Sequence, residues 1–598
     1  VYMSIFLNRI IYSLIGFLSL IACVIWLLIR KKSSLNLIQT QSHSLYLLLL
    51  SIFFILFTFS VLSFYFRPNL YERPLIYFVF MSFMVGIIGL ELFFKNIKKL
   101  LLLFQILLVG ISIAWSQLLL FPGLVGDDPW VHQMITSIIL NLHNIPDGYN
   151  YSKLPIFHLL IASTSLVTGL NYKFAAMMSV GFLQVLCIIL LIFLLCMFLF
   201  DDYKISLLAC LSIIVCNNQI YMSCWSIPNA LGTIFILYLL YILVILKNKS
   251  YQISIILSIF FMVVLILTHT IASIFMAIIL FIYSFGFKLY PLLCSLKEAP
   301  VSRKVPVSLT YSVLFIVSMF AWWAFSTRYL NTLGKLLKWG FSIDSFSKSP
   351  QDLAPKYIMM VPIPEQIFNF LGMFLFFTLC FVGCFYMISK KHGSCSTFIF
   401  TIIGLTPLFL GFFSLITKHS VIEHRWFYFA QIFLSIPFAV SIMVISNSFK
   451  NNYLKYGLLF FSMTFISFLM IMSPLANVDN HIFSPNSSAT SSFTMSELQA
   501  VKTTSNIWNG TIKTDRVCSG CLNTMYILEP FCDEIYRKNI LDLQHNMVLI
   551  RKNIIGKPFK LFSSLFILDY DPRELLSDSY FSKIYNCGSV EGYLKVQQ

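Results

Sequence analysis

Apolar runs of roughly 20 residues, long enough to cross an ~30 Å hydrocarbon core, recur along most of the chain. They predict membrane spans near 10–29, 44–64, 75–94, 100–120, 174–199, 205–222, 228–246, 251–268, 270–290, 306–325, 367–388, 397–416, 426–446 and 454–472. The run at 154–169 is shorter, opens on Lys153-Leu154-Pro155 and contains His158, so it reads as a helix lying at the outer membrane surface. Before it, Val131, Met134, Ile135, Ile138, Ile139 and Leu142 repeat at helical spacing, with His132, Thr136 and His143 on the opposite face. Asp128 followed by Pro129 suits the N-cap and first turn of that helix. Leu330, Leu333, Leu336, Leu337 and Phe341, mixed with Lys335, Lys338 and Trp339, predict another interfacial helix in a long outer loop from 326 to 366. A short outer turn holds Lys418, His419, Glu423, His424 and Arg425.

Near 473 the apolar pattern stops, and Asn, Ser, Asp and Lys replace it. Ser496-Glu497-Leu498 marks an early helical turn, while Thr511-Ile512-Lys513-Thr514 and Met547-Val548-Leu549-Ile550 read as strands. The expected architecture is therefore an all-α polytopic membrane domain of about 14 transmembrane helices, followed by a small α/β extracytosolic domain. Residues 1–99 carry extra N-terminal helices, 100–472 a transmembrane module with outer loop 121–173, and 473–598 the soluble domain. The first span lacks a following small-residue cleavage site, so it is expected to be retained.

Composition agrees: 58% of the residues are hydrophobic and only 11% are charged. A net charge of +17 would suit nucleic acid, but its distribution excludes that partner. Arg30-Lys31-Lys32, Lys95 with Lys98-Lys99, Lys247 with Lys249, Arg303-Lys304, Lys390-Lys391 and Lys450 with Lys455 occupy gaps between alternate spans. This positive-inside pattern predicts a multi-pass cell-membrane protein with both termini and Asp127-Asp128 outside the cytosol. A crossing at 154–169 would throw the later basic loops outside, which is the second reason for laying that helix on the surface. The sequons Asn486-Ser487-Ser488 and Asn509-Gly510-Thr511 fall on the side this topology places outside.

Carboxylates are costly within hydrocarbon, so Gly126-Asp127-Asp128-Pro129-Trp130, right after an apolar run, belongs at a water boundary. Asp127 or Asp128 can take a proton from an acceptor hydroxyl, or hold a divalent cation such as Mg2+ or Mn2+ together with His132. Lys153 and Arg425 can neutralise a phosphate, Arg425 bidentately. Each has an ordinary counterpart: Asp128 as an N-cap, Asp127 as solvated loop, Lys153 snorkelling at the interface, and Arg425 pairing with Glu423. His132, His158 and His269 can equally be polar residues of an interface, and Glu91 a local partner of Lys95. With Asp128 accounted for as a cap, Asp127 is the preferred base. Cys518 and Cys521 form Cys-x-x-Cys, with Cys532 and Cys587 downstream. In an extracytosolic domain this favours one or two disulfides, with a zinc site as the alternative. The other cysteines read as buried apolar fillers.

The order of these features resembles the C-type (GT-C) glycosyltransferases, the superfamily of polyprenyl-phosphate-sugar enzymes that includes protein O-mannosyltransferases and aminoarabinose transferases. It is most similar to archaeal proteins of that type, on Gly126 to His132, Pro155-Ile156-Phe157-His158-Leu159-Leu160, Leu267-Thr268-His269-Thr270 and Glu423-His424-Arg425, over residues 100–598. The resemblance implies Asp127 and Asp128 as catalytic carboxylates. It implies Lys153, Arg425, His132, His158, His269, Glu423 and His424 around the substrates. The implied partners are a polyprenyl-phosphate sugar donor, a protein, lipid or glycan acceptor, and membrane lipids. Three additional N-terminal spans, and the lack of the oligosaccharyltransferase Trp-Trp-Asp signature in the C-terminal domain, depart from the family pattern. The competing expectations are a transporter or flippase of lipid-linked sugars and a non-catalytic cell-surface assembly protein.

Overall fold

The computed structural model describes residues 10–31, 33–35, 42–67, 69–95, 97–148, 151–294, 307–326, 361–417, 423–508, 510–515, 518, 521, 547–561, 564–568, 570–577 and 581–595. The expected interfacial helix around Leu330 to Phe341, the turn residues Lys418 and His419, Asn509 and Cys532 lie outside the described residues.

Apolar helices occupy each of the expected span positions: α1 Ile10–Ile29, α2 His43–Leu62, α3 Leu75–Glu91 and α4 Lys99–Leu120 precede the loop, and α5 Asp128–Leu142 and α6 Ile156–Thr168 form it. The bundle continues with α7 Tyr172–Phe200, which contains a π-helical stretch at Met177–Phe182. Then come α8 Tyr203–Ile214, α9 Asn217–Cys224, α10 Pro228–Val244, α11 Tyr251–Ile266, α12 Thr270–Cys294, α13 Leu309–Ser326, α14 Ile363–Ile388, α15 Cys395–Thr417, α16 Glu423–Ser448 and α17 Asn452–Ile471. Among the described residues, nine helices are long and apolar enough to cross a membrane, or up to ten if the bent pair α8–α9 is one span. The count of 14 thus includes helices, such as α3 and α11, that are short for a full crossing.

The run at 205–222 is not one straight helix. Cys216 is extended, and α8 and α9 meet at 61°. Asn217-Asn218-Gln219 explains the break, because side-chain amides satisfy backbone groups that a broken helix would strand in an apolar interior. The Asn218 N–H donates to the side-chain oxygens of Asn217 at 2.9 Å and Gln431 at 3.1 Å, and Gln431 Nε2 donates to Asn217 Oδ1 at 2.7 Å.

Gln431 lies on α16, the bundle's central helix, which packs against α8, α9, α14 and α15. The α14–α16 crossing is close because Gly383 has no side chain: a Cβ there would collide with the carbonyl of Pro437. Buried Cys187, Cys196, Cys210, Cys216, Cys224, Cys380 and Cys384 fill the bundle as expected of small apolar residues. Glu91 is a correction: it is fully buried and accepts from Gln105 Nε2 at 3.0 Å, while Lys95 stays exposed.

In the C-terminal part, α18 Met495–Ile507 opens on a complete capping box from Thr494 and Glu497. β1 Ile512–Lys513 and β2 Met547–Arg551 fall where the sequence placed strands, with β3 Phe559–Leu561, β4 Ser564–Phe566, α19 Pro572–Ser577, β5 Phe581–Asn586 and β6 Val590–Lys595 completing the described elements. One sheet has the order β1-β2-β6-β5, with β1–β2 parallel and the other pairs antiparallel. Arg551, at the end of β2, is fully buried, forks onto both Asp515 oxygens at 2.7 Å and lies 3.8 Å from Glu497. Burial alone would lower its pKa, but Asp515 and Glu497 outweigh this and raise it.

Cys518 and Cys521 are buried beside this network as free thiols, so the expected disulfide is not formed here. Their surroundings account for them as small core residues, and burial pushes the Cys518 thiol up to about 12. Asn486 is also committed: its Nδ2 donates to Glu365 at 2.8 Å.

Gly383→Ala should cost about 1–3 kcal/mol, the usual range for overpacking. The thermal midpoint of the purified protein checks this, with Gly457→Ala as the neutral control, since a Cβ at Gly457 meets nothing within 4 Å.

Candidate active site

The loop between α4 and α7 begins with a glycine that no other residue replaces easily. Gly126 has φ +90°, and a Cβ on it would collide with the Trp225 ring. Its N–H donates to the Ser491 carbonyl at 3.0 Å, tying the loop to the segment just before α18.

Asp127, not Asp128, is the N-cap of α5: its Oδ1 accepts from the Asp128 N–H at 3.1 Å. Asp128 is the first helical residue, followed by Pro129. Its carboxylate lies 3.8 Å from the guanidinium of Arg425, whose side chain is 16% exposed against 46% for Asp128. The capping role expected of Asp128 belongs to Asp127, so that ground for preferring Asp127 falls away. The partner expected for Arg425 was Glu423; the structure brings Asp128 to it.

The buried side of α5 cuts across the expected division, with Ile135 and Ile139 buried beside polar residues and His143 exposed. His132 and Thr136 are buried, while Val131 and Leu142 are exposed. A helix beside lipid can turn apolar residues outward and polar ones toward the protein, reversing the rule for water. His132 Nδ1 and His158 Nε2 lie 3.1 Å apart, and the Tyr151 ring sits 4.8 Å from His132 and 5.8 Å from His158. α6 packs on α5 through Ile135, Ile139 and Ala162, consistent with a short helix folded onto its neighbour.

A 3.1 Å contact between two imidazoles requires one to donate and the other to accept, so the pair cannot be doubly protonated and keep this bond. Burial, reinforced by His158, His269 and Arg425, holds the His132 pKa well below the ordinary value. Burial alone pushes His158 down to about 3. The Tyr151 hydroxyl is raised, chiefly by burial; Arg425 pulls it down and Asp128 pushes it up. His269 is buried between α11 and α12, where its Nδ1 accepts from the Ala272 N–H at 3.3 Å.

The same corner borders a cavity of about 960 Å3. Tyr221 and Trp225 of the broken pair, His424 of α16 and Ser491 line it. The Tyr221 ring lies 4.5 Å from that of Trp225, tilted by 40°, meets His424 edge-on at 5.9 Å, and lies within electrostatic reach of Asp127, Asp128 and Arg425. The carboxylates, the arginine and the cavity therefore share one site.

The structure gathers Asp127, Asp128, His132, His158, His269, His424 and Arg425 there. Lys153 is instead exposed and pairs with Asp147 at 3.5 Å, a solvated contact of small energetic weight. The side chain of Glu423 lies outside the described residues. Among the described residues, no three His, Cys, Asp or Glu side chains gather in a way that could hold a metal ion. Tyr151, Tyr221, Trp225 and Asn218 were not anticipated. The run of three amides at 217–219 inside an apolar stretch was the available signal for the last of these.

No family model and no curated protein matches the chain. Two crystal structures of ArnT from Cupriavidus metallidurans are similar in fold: one bound to undecaprenyl phosphate (9% identity, TM-score 0.49) and one in the apo state (11% identity, TM-score 0.47). Each alignment covers 83% of this chain and 99% of the other. Identity this low leaves function to be argued from this chain's own side chains.

Both imidazoles are depressed in the folded state, so their neutral burial contributes stability above about pH 6.5, the unfolded value. That stability is lost as pH falls toward about 3. The thermal midpoint of the purified protein should fall by several degrees between pH 7.5 and pH 5, and His158→Gln should reduce that pH dependence.

Proposed function

We propose that this chain is a membrane glycosyltransferase of the GT-C kind, which passes a sugar from a polyprenyl (dolichyl-type) phosphate to an acceptor on the extracytosolic face. The observation that carries the reading is the Asp128–Arg425 pair, 3.8 Å apart and within electrostatic reach of Tyr221, which lines a cavity of about 960 Å3. A base for an acceptor hydroxyl beside a cation for a phosphate is the minimum that glycosyl transfer requires.

In the proposed reaction the acceptor oxygen attacks the anomeric carbon, and the bond from that carbon to the phosphate oxygen breaks. The acceptor proton passes to Asp128, and the electron pair leaves with the polyprenyl phosphate. Arg425 turns from Asp128 to the phosphate, where its planar fork stabilises the added charge. Asp127 holds the start of α5, fixing where Asp128 points. Tyr151 and the His132–His158 pair shape the floor behind it. A divalent cation remains compatible with Asp127 and Asp128, but no step above depends on one.

A transporter of lipid-linked sugars is the second reading, favoured by one feature: the 61° break between α8 and α9, lined by amides, resembles the discontinuous helices of carriers. Flux of a fluorescent lipid-linked sugar across vesicles containing the protein, without an acceptor, would support it over transfer.

Asp128→Asn should lower transfer of radiolabelled sugar from a polyprenyl-phosphate donor by about 10²–10⁴-fold, the range of a lost general base. Arg425→Lys, which keeps the charge but not the fork, should weaken both binding and rate. Asp127→Asn, still able to cap, should retain most activity. Full transfer by Asp128→Asn and Arg425→Ala alike would remove this site from consideration.

A further inference from the structure

The cavity beside the Asp128–Arg425 pair has a chemistry of its own. None of the described residues lining it is Asp, Glu, Lys or Arg. Its polar lining is supplied by amides and hydroxyls, Asn218, Gln366, Asn369 and Ser487 among them, with the imidazole of His424, and its aromatic lining by Tyr221 and Trp225. A carboxylate does stand behind this wall, but it is turned away. Glu365 receives the Asn486 N–H at 3.0 Å, Asn486 Nδ2 at 2.8 Å and the Ser487 hydroxyl at 2.7 Å. Asn369 is held by the same shell, donating to Ser487 Oγ at 2.9 Å and accepting from the Ser484 hydroxyl.

Asn218 differs from these neighbours. Its N–H and Nδ2 are engaged with Asn217 and Gln431, yet its buried side-chain carbonyl has no hydrogen-bond partner. A residue 1% exposed with an unsatisfied amide oxygen costs stability unless something donates to it. A sugar hydroxyl is suited to this: it donates to one amide while accepting from the next. The apolar face of the ring can rest on an aromatic platform such as Tyr221–Trp225. Away from the Asp128–Arg425 pair, a carboxylate or ammonium on the sugar would meet no opposite charge among the described lining residues, and burying an unpaired charge is strongly unfavourable.

We infer that this cavity receives the glycosyl group of the donor and selects an uncharged sugar, with the Asn218 side-chain carbonyl accepting from a ring hydroxyl. This rests on the lipid-linked sugar donor proposed above, and it adds the charge class of the sugar and a residue that recognises it.

Binding to purified protein in detergent separates the inference from the reaction. The probes are short-chain polyprenyl phosphate with no sugar and the same lipid carrying a neutral hexose, a uronic acid or an amino sugar. The hexosyl lipid should bind about tenfold more tightly than the sugar-free lipid, a ratio that one or two net hydrogen bonds supply. The charged-sugar lipids should show no such gain. Asn218→Ala keeps the backbone bond to Gln431 and should abolish the gain, while affinity for the sugar-free lipid, which reports the fold, stays within about twofold. Asn218→Asp should move the preference toward the amino sugar by about tenfold. A uronosyl or aminoglycosyl lipid binding the native protein as tightly as the hexosyl one would overturn the inference, as would a gain that survives Asn218→Ala. A hexose-specific gain without any transfer would leave the inference standing and defeat the enzymatic reading instead.

Discussion

The arrangement of the site hangs on the segment Ser491-Ser492-Phe493, which links the C-terminal part to the loop after α4. Asp479 gathers the N–H groups of Ser491 and Ser492 at 2.6 and 3.2 Å and the Ser492 hydroxyl at 2.6 Å. From the other side, Arg551 lies over the Phe493 ring and donates to the Ser492 carbonyl. Held this way, the segment offers its Ser491 carbonyl to Gly126 and the Phe493 ring to Trp130, 5.7 Å away. Asp127 and Asp128 lie between those two contacts. Their position is thus set by bonds to a part of the chain far away in sequence, and a continuous apolar core runs from the bundle to Phe493, Val501 and Leu549. A buried arginine between two carboxylates is a demanding support, because removing Arg551 would leave Asp515 and Glu497 buried without their counter-charge.

The polar groups of the bundle follow one rule. Where water is absent, each must find a partner within the protein, and that requirement shapes the backbone as much as apolar packing does. The break at Cys216 survives because Asn217 and Gln431 stand in for backbone partners. Arg73, also buried, is held by Asn477, and Asn480 Nδ2 returns a bond to the Arg73 carbonyl. The helices before the loop are thereby joined to the residues that follow α17. The first helices are part of the support of the 473–493 segment, not an appendage.

Much of this fold was legible in the sequence because a run of some 20 apolar residues has few other fates. The helices lie where hydropathy put them, and so do the short helix at Ile156–Thr168 and the strands β1 and β2. What failed did so for identifiable reasons. Periodicity locates the polar face of α5 but not the medium each face meets, so His132 and Thr136 were turned the wrong way. Asp-Pro suggested an N-cap at Asp128, yet moving the cap back one residue serves the same helix and leaves Asp128 free to approach Arg425. The Glu91–Lys95 spacing was real, but a charge that can be hydrogen-bonded by Gln105 inside the bundle need not use its helical neighbour. The partnership of Asp128 with Arg425 and the approach of Tyr221 to His424 depend on long-range packing, which no local pattern encodes. For the site, the residue types were readable and their mutual arrangement was not.

Gly126 makes the loop and the broken helix a single mechanical part. Its left-handed backbone and its contact with the Trp225 ring mean that the chain direction entering Asp127 is dictated by a side chain on another element. For protein engineering, residues 121–173 are therefore not a portable cassette. Transplanted into another helical scaffold, the acidic pair would arrive without the indole that shapes its approach or the carbonyl that anchors it. The smallest unit that carries this geometry is discontinuous, and includes the loop, the turn at Trp225 and the strand-like segment at Ser491.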